Sequence, residues 1–313
     1  MKKVVIVVPA YNEAESLDAF YNSYSRFNQD NRGFDFNLLF VNDGSCDDTL
    51  DQLRELSLKD QSIKYLSFSR NFGHQAALRA GLENSVTLDP DCVVSMDADL
   101  QHPFEVILEF LGKWESGAEI VYSVRKDSKD CSGFKRLTSK GFYKVLNILG
   151  EVEIDEGCAD FRLLDIKVVN KVLEFKEADL FFRGLVPFIG FKQESVEYQP
   201  HKREFGQTKY TLSKMFKLAV TGITSFSVKP LYISILLGIM ASVSAFLYLI
   251  YSLVAKFYWE QTVSGWTSII ISVLFIGGVQ LVVLGIIGIY IGKIFNEVKN
   301  RPHYLVSEDN LNS

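Results

Sequence analysis

Two unbroken apolar runs, Val4-Val5-Ile6-Val7-Val8 and Leu38-Leu39-Phe40-Val41, each pass straight into a polar turn and then a helical pattern. A strand with one wet face alternates apolar and polar residues, so a run that is apolar on both faces must be covered on both. Strands of that kind alternating with helices specify an α/β fold with a mostly parallel sheet, and such sheets gather their ligands at the carboxyl ends of the strands. Those ends carry Pro9-Ala10-Tyr11-Asn12-Glu13 and Asn42-Asp43-Gly44-Ser45, with Asp47 and Asp48 close behind. A third apolar stretch delivers Asp97-Ala98-Asp99-Leu100-Gln101-His102-Pro103.

Side chains alternate along a strand, so Asp97 and Asp99 converge on one ligand only where the strand has ended and the chain turns. Pro103 and the helical pattern from about Phe104 supply that ending. Two carboxylates and an amide are hard oxygen ligands that suit Mg²⁺ or Mn²⁺ over zinc, with open positions left for substrate phosphates. Asp97, Asp99 and Gln101 are therefore the candidate metal ligands. The same residues also suit a turn and helix cap, and the other strand ends weigh toward metal.

The 313-residue chain has a formal net charge of −5 and is 48% hydrophobic, an apolar excess that sits at its carboxyl end. From Leu231 to Ala255, and again from Gln261 to Gly292, there is no charged residue. Each stretch is long enough to cross a hydrocarbon core as a helix. The short connection makes a hairpin, with Lys229, Lys293, Lys299 and Arg301 on the side of the termini. By the positive-inside rule the domain before the hairpin and the tail after it are cytoplasmic, in a multi-pass membrane protein. Gly238, Ala241 and Ala245, and Gly285, Gly288 and Gly292, form small-residue stripes suited to close helix packing.

Lys2 and Lys3 precede an apolar run that ends too soon, at Val8, to be the core of a signal peptide. Cys46, Cys92, Cys131 and Cys158 are scattered and outline neither a zinc site nor a disulfide framework, which suits a reducing compartment. Two stretches combine helical apolar spacing with positive charge: one around Phe134 to Ile148, the other around Leu212 to Ile223. Next to two spans they read as interfacial helices on anionic lipid. The acidic net charge and the absence of stacking aromatics among the basic residues exclude nucleic acid as a partner.

The ordered set Pro9-x-Tyr11-Asn12-Glu13, Val41-Asn42-Asp43-Gly44-Ser45, Ser69-Arg70-Asn71-Phe72-Gly73 and Asp97-Ala98-Asp99-Leu100-Gln101 resembles inverting glycosyltransferase family 2, on the GT-A fold. Asp160-Phe161-Arg162-Leu163, Lys209-Tyr210-x-Leu212-x-Lys214 and the two spans narrow the resemblance to bacterial polyprenyl-phosphate (bactoprenol) glycosyltransferases, relatives of dolichol-phosphate mannose synthase. It implies a UDP-sugar donor and undecaprenyl phosphate as acceptor, with Mg²⁺ or Mn²⁺ as cofactor. It further implies that Pro9, Tyr11, Asn12, Glu13, Asp43 and Asp97 hold the nucleotide. Asp160 takes the position of the catalytic aspartate, Arg203 and Lys209 fall near the leaving diphosphate, and Arg125, Lys135, Arg136 and Ser139 meet the acceptor phosphate. How Asp97 and Asp99 divide metal and ribose stays open.

The implied layout is a GT-A domain over 1–205, an amphipathic juxtamembrane segment 206–228, spans 229–255 and 267–292 around an extracytoplasmic loop 256–266, and a cytoplasmic tail 293–313. Glucose is the favoured sugar, with N-acetylglucosamine as the alternative. A processive polysaccharide synthase shares the first motifs, but Trp114, Trp259 and Trp266 fit no Gln-x-x-Arg-Trp acceptor motif. A non-catalytic membrane scaffold is disfavoured because every motif carboxylate is present. A homotetramer is the oligomer the family suggests.

Overall fold

A computed structural model describes residues 1–125, 158–177, 182–201, 222–225, 227–258 and 265–311. The strands are β1 (Lys2–Ala10), β2 (Phe34–Asn42), β3 (Ile63–Phe68), β4 (Cys92–Ser95), β5 (Ile120–Arg125), β6 (Cys158–Asp165), β7 (Gln193–Tyr198) and β8 (Val306–Asp309). They form one sheet in the order β7-β5-β6-β4-β1-β2-β3-β8. The pairs β1 with β2, β1 with β4, β2 with β3 and β5 with β7 are parallel, while β6 and β8 join antiparallel. The helices among them are α1 (Ala14–Asp30), α2 (Thr49–Lys59), α3 (His74–Ser85), α4 (Glu105–Glu115), α5 (Ile166–Leu173) and α6 (Phe182–Ile189).

The unbroken apolar runs are buried on both faces, as that pattern requires. Val4, Ile6 and Val8 of β1 join a core with Phe20 and Tyr24 of α1, Leu53 of α2 and Phe110 of α4. Val5 and Val7 point to the opposite face, where a Cβ on Gly81 of α3 would run into Val7. Aromatic rings fill the first face: Phe20 meets Phe104 at 5.2 Å, and Phe27 meets Phe36 at 4.9 Å. Each such ring contributes on the order of 1.5–3 kcal/mol by burial. Pro9 is accommodated because β4 has already left the side of β1 after Ser95, so no ladder bond is lost there.

The chain divides into two compact units. The larger takes up the described residues as far as Gly222 together with those from Pro302 onward; the smaller runs from Ile223 to Arg301. Residues 302–311 are thus more than a tail. β8 pairs with β3, the Asn310 side chain and backbone both bond to the Tyr65 backbone, and Arg54 grips Glu308 through two nitrogens at 2.9 and 2.6 Å. The Arg54 hydrogen bond, against a smaller desolvation effect, holds the Glu308 carboxyl below its ordinary pKa. A depressed acid stabilises the fold above its unfolded value, and the contribution is lost as pH falls through the folded one. Protection of the Tyr65 and Ser69 amides, which bond to Asn310 and Leu305, is expected to drop below about pH 4. In Glu308→Gln that acid-side drop should shrink; hydrogen exchange measures it, and an unchanged drop would refute the role given to Glu308.

In the smaller unit, α7 (Lys229–Tyr258) extends past both ends of its charge-free stretch, and α8 (Trp266–Val298) past the carboxyl end of the second. Intrahelical hydrogen bonds are indifferent to the membrane boundary, so Lys256 and Lys293 stay helical. Lys229–Ser252 and Ser272–Val298 are long and apolar enough to cross a membrane, at about 36 and 40 Å of helix against a core of about 30 Å. At the glycines of the small-residue stripes the expected close packing is not seen among the described residues: a Cβ added at Gly238, Gly285, Gly288 or Gly292 would meet nothing within 4 Å. Contacts between the ends of this unit are polar instead. Tyr290 donates to the Ser227 carbonyl at 2.7 Å and Lys293 to the Ser225 hydroxyl at 2.8 Å.

Candidate active site

The polar turns after β1 and β2 are tied to each other. Asn12, in the left-handed region at φ 54°, donates its N–H to Ser45 Oγ and accepts from the Cys46 N–H, both at 2.9 Å. Asn tolerates that backbone better than most residues because its short amide bonds locally. Glu13 N–H donates to Thr49 Oγ1 at 3.0 Å, and the Ala14 N–H to Asp47 Oδ2 at 3.3 Å. Tyr11 stands exposed at the rim. The aspartate behind the turn, Asp47, therefore works inside the fold.

Asp43 is buried, 3% exposed, and its carboxylate accepts the N–H groups of Phe72 at 2.6 Å and Gly73 at 2.9 Å. Desolvation lifts its pKa above the ordinary carboxylate value even though these bonds oppose the rise. Gly44, at φ +62°, lies so close to the Arg70 backbone that no Cβ fits between them. The segment 69–73 is thereby pressed onto the end of β2, and Asp43 serves first as its clamp.

After β4 the chain turns through Leu100, whose φ of 58° is a strained value for a branched residue and marks a conformation held by its surroundings. Asp99 accepts the Gln101 N–H at 3.1 Å, and Gln101 Oε1 accepts from Arg125 Nη1 at 3.5 Å. Arg125 at the end of β5 is thus brought to the aspartate turn. Asp97 Oδ2 lies 3.3 Å from His102 Nε2, while His102 Nδ1 lies 2.9 Å from the Tyr198 hydroxyl. An Nε2–H given to Asp97 leaves Nδ1 to accept from Tyr198. Burial would raise Asp97, but the His102 bond and the His74 charge prevail and hold its pKa below the ordinary value. Burial, opposed by Arg125 and reinforced by Asp97 and Asp99, pushes Tyr198 up to about 12, so its hydroxyl stays protonated.

Strand register brings the remaining carboxylate in. β4 and β6 run antiparallel with Ser95 opposite Arg162, so two more steps bring Asp97 level with Asp160. Asp160 is 6% exposed, and its Oδ1 pairs with Arg162 Nη2 at 3.4 Å. Arg162 is buried as well and donates from Nη1 to the Phe182 carbonyl at 3.2 Å. His74 Nε2 lies 3.5 Å from Asp160 Oδ2 and 3.9 Å from Asp97 Oδ1.

Of the residues named from sequence, Tyr11, Asn12, Glu13, Asp43, Asp97, Asp99, Gln101, Arg125 and Asp160 lie at or beside the strand ends on this side of the sheet, with Pro9 in β1 beneath them. Lys135, Arg136, Ser139, Arg203 and Lys209, and both basic amphipathic stretches except Gly222 and Ile223, fall outside the described residues. Sequence reasoning missed His74 and the partnership of His102 with Tyr198. Both histidines adjoin motifs, His74 directly after Asn71-Phe72-Gly73 and His102 directly after Gln101, and that adjacency was the available signal. Among the described residues no three His, Cys, Asp or Glu side chains converge as a closed metal cage.

The glycosyl transferase family 2 model matches residues 5–173, a span that covers all these strand ends except β7 and β8. An uncharacterized glycosyltransferase of Bacillus subtilis, YkcC, is 44% identical over 97% of this chain and 93% of its own. The SfII prophage-derived bactoprenol glucosyl transferase of Shigella flexneri is 37% identical over 98% of each chain, and the prophage bactoprenol glucosyl transferase homolog of Escherichia coli is 36% identical over 97% of this chain and 98% of its own. A sheet with helices on both faces, carboxylates at its strand ends and relatives matched along nearly the entire length leave one assignment: this glycosyltransferase belongs to family 2 and has the GT-A fold.

Proposed function

We propose that the protein transfers a single glucose from UDP-glucose to undecaprenyl phosphate, with inversion at the anomeric carbon, and leaves the lipid-linked sugar on the cytoplasmic leaflet. The observation that carries this reading is that carboxylates from three strand ends, Asp43, Asp97 with Asp99, and Asp160, line one end of the sheet in a chain that continues into two membrane-length helices. The bactoprenol glucosyl transferases among its relatives support both glucose and the polyprenyl carrier. Lys229, Lys293, Lys299 and Arg301 support a cytoplasmic placement of the catalytic unit.

Asp99, with Asp97 and Gln101 beside it, would hold Mg²⁺ or Mn²⁺. The carboxylates of Asp97 and Asp99 are hard oxygen donors of the kind that suits such an ion, which usually completes its shell with water and substrate phosphates. When bound, the cation neutralises charge that builds on the departing diphosphate. Tyr11, Asn12 and Glu13 would border the nucleotide, and Asp43 would support it by fixing the loop 69–73. Arg125, tied to Gln101, would receive the acceptor phosphate together with Lys135, Arg136 and Ser139, while Arg203 and Lys209 attend the leaving group. A phosphate monoester already carries more than one negative charge at neutral pH, so it needs no strong base. Asp160, flanked by Arg162 and His74, is suited to orienting the reactants.

The test incubates membranes that contain the protein with undecaprenyl phosphate, Mg²⁺ or Mn²⁺ and, in separate arms, labelled UDP-glucose or UDP-N-acetylglucosamine. Label is expected in the organic extract from UDP-glucose, with a loss of at least about 100-fold in Asp99→Ala, the scale of removing one transition-state charge stabiliser. Extractable label from UDP-N-acetylglucosamine alone would overturn the choice of sugar. Polymeric product with none in the extract would overturn the single-transfer reading.

A further inference from the structure

The contacts of Asp97 and Asp160 show a division that neither motif announces. Each carboxylate turns one oxygen to a partner of its own: Asp97 Oδ2 faces His102 at 3.3 Å, and Asp160 Oδ1 faces Arg162 at 3.4 Å. The other two oxygens face one imidazole nitrogen, His74 Nε2, at 3.9 and 3.5 Å. Two carboxylates set this close, one in β6 and one just past the end of β4, repel, and a nitrogen bearing hydrogen between them offsets that repulsion. The side chain of Asp160 is 7% exposed, whereas that of His74 is 42% exposed. His74 therefore also borders the open space in which substrates must lie.

The position of the imidazole is set by tertiary structure on both sides. His74 is the first residue of α3 and directly follows Gly73, whose N–H is held by Asp43 and whose φ of +99° fixes the entry into the helix. The adjacent residue, Gln75, accepts through Oε1 the N–H of Phe182, the residue whose carbonyl receives Arg162. The same short segment thus reaches the nucleotide-side loop, both carboxylates and the backbone that seats Arg162.

We propose that His74 is a positioning residue that couples Asp97, on the donor side of the site, to Asp160, which orients the reactants, and so fixes the alignment of the groups that must meet for transfer. The proposal rests on the function given above for those two aspartates. Its consequence is specific: removing the imidazole leaves donor binding largely in place and disturbs the alignment on which turnover depends.

A double-mutant cycle on the full chain tests it, with His74→Ala, Asp160→Asn and the pair, read as kcat and donor KM for transfer and as UDP affinity by calorimetry. His74→Ala is expected to lower kcat about 30-fold with donor KM and UDP affinity within about threefold of the parent. In the Asp160→Asn background the same change should cost less than about threefold, because the link is already broken. His74→Gln, whose amide can donate toward the same space, should recover at least about a third of the parental kcat. Losses that multiply independently, or a fall in UDP affinity that matches the fall in kcat, would overturn the coupling. Melting temperatures of the same four proteins without substrate give a second reading: non-additive shifts support the bridge and additive shifts overturn it. A parent that transfers no sugar but shows non-additive melting would overturn the proposed function and leave the bridge standing.

Discussion

Asp160→Ala is expected to lower the melting temperature by about 10 °C and to stop transfer. Arg162 is 2% exposed and faces Asp160 from within the same strand. Deleting the carboxylate takes the charged partner from a guanidinium in the interior, while the bond from Arg162 to the Phe182 carbonyl at 3.2 Å is untouched. Breaking a buried pair from one side costs about 3–5 kcal/mol. For a domain of this size each kcal/mol corresponds to roughly 2–4 °C. Asp160→Asn separates stability from chemistry, because its amide oxygen still accepts from Arg162 while the charge is gone. It should regain most of the lost melting temperature yet transfer sugar at least about 100-fold more slowly than the parent, the scale of a lost charge in a preorganised site. Thermal unfolding and the extraction assay read the two effects separately. Parental turnover by Asp160→Asn would remove the aspartate charge from the mechanism.

Ending the chain at Arg301 is the second large effect, expected to reduce UDP affinity at least tenfold and to make the protein prone to association. The truncation removes β8 and uncovers β3, whose free edge invites pairing with other chains. It also removes Tyr304, which stacks on Phe68 at 4.9 Å and donates to Glu83 of α3 at 2.8 Å. Phe68 in turn meets Phe72 edge-on at 5.6 Å, and the Ser69 N–H donates to the Leu305 carbonyl at 2.9 Å. The start of the loop that ends at His74 is therefore held by residues from beyond α8 in sequence. Calorimetry with UDP and light scattering measure the two consequences. Addition of a peptide of residues 302–313 should restore part of the affinity, and parental affinity in the truncated chain without it would show that the strap does not support the loop.

A catalytic domain read as 1–205 omits this strand, and the reason is physical. Val306-Ser307-Glu308-Asp309 is short, polar and exposed, without the apolar runs that identify β1 and β2. Its strand character comes from an available edge on β3 and from the Arg54 fork on Glu308, 254 residues apart in sequence. Local pattern carries no trace of such a partner.

What the sequence determined by itself was whatever follows from local pattern. Unbroken apolar runs require cover on both faces, so they specified the parallel core, and that topology sent Tyr11, Asn12, Asp43, Asp97 and Asp99 to one end of the sheet. Charge-free stretches of sufficient length likewise specified two membrane-length helices. Only the tertiary structure decided the partners: Asp43 with the backbone of Phe72 and Gly73, Gln101 with Arg125, His102 with Tyr198, and His74 between Asp97 and Asp160. These contacts join residues far apart in sequence through strand register, above all the antiparallel insertion of β6 beside β4. Register depends on which edges are open once the core has formed, and no short run of residues records that.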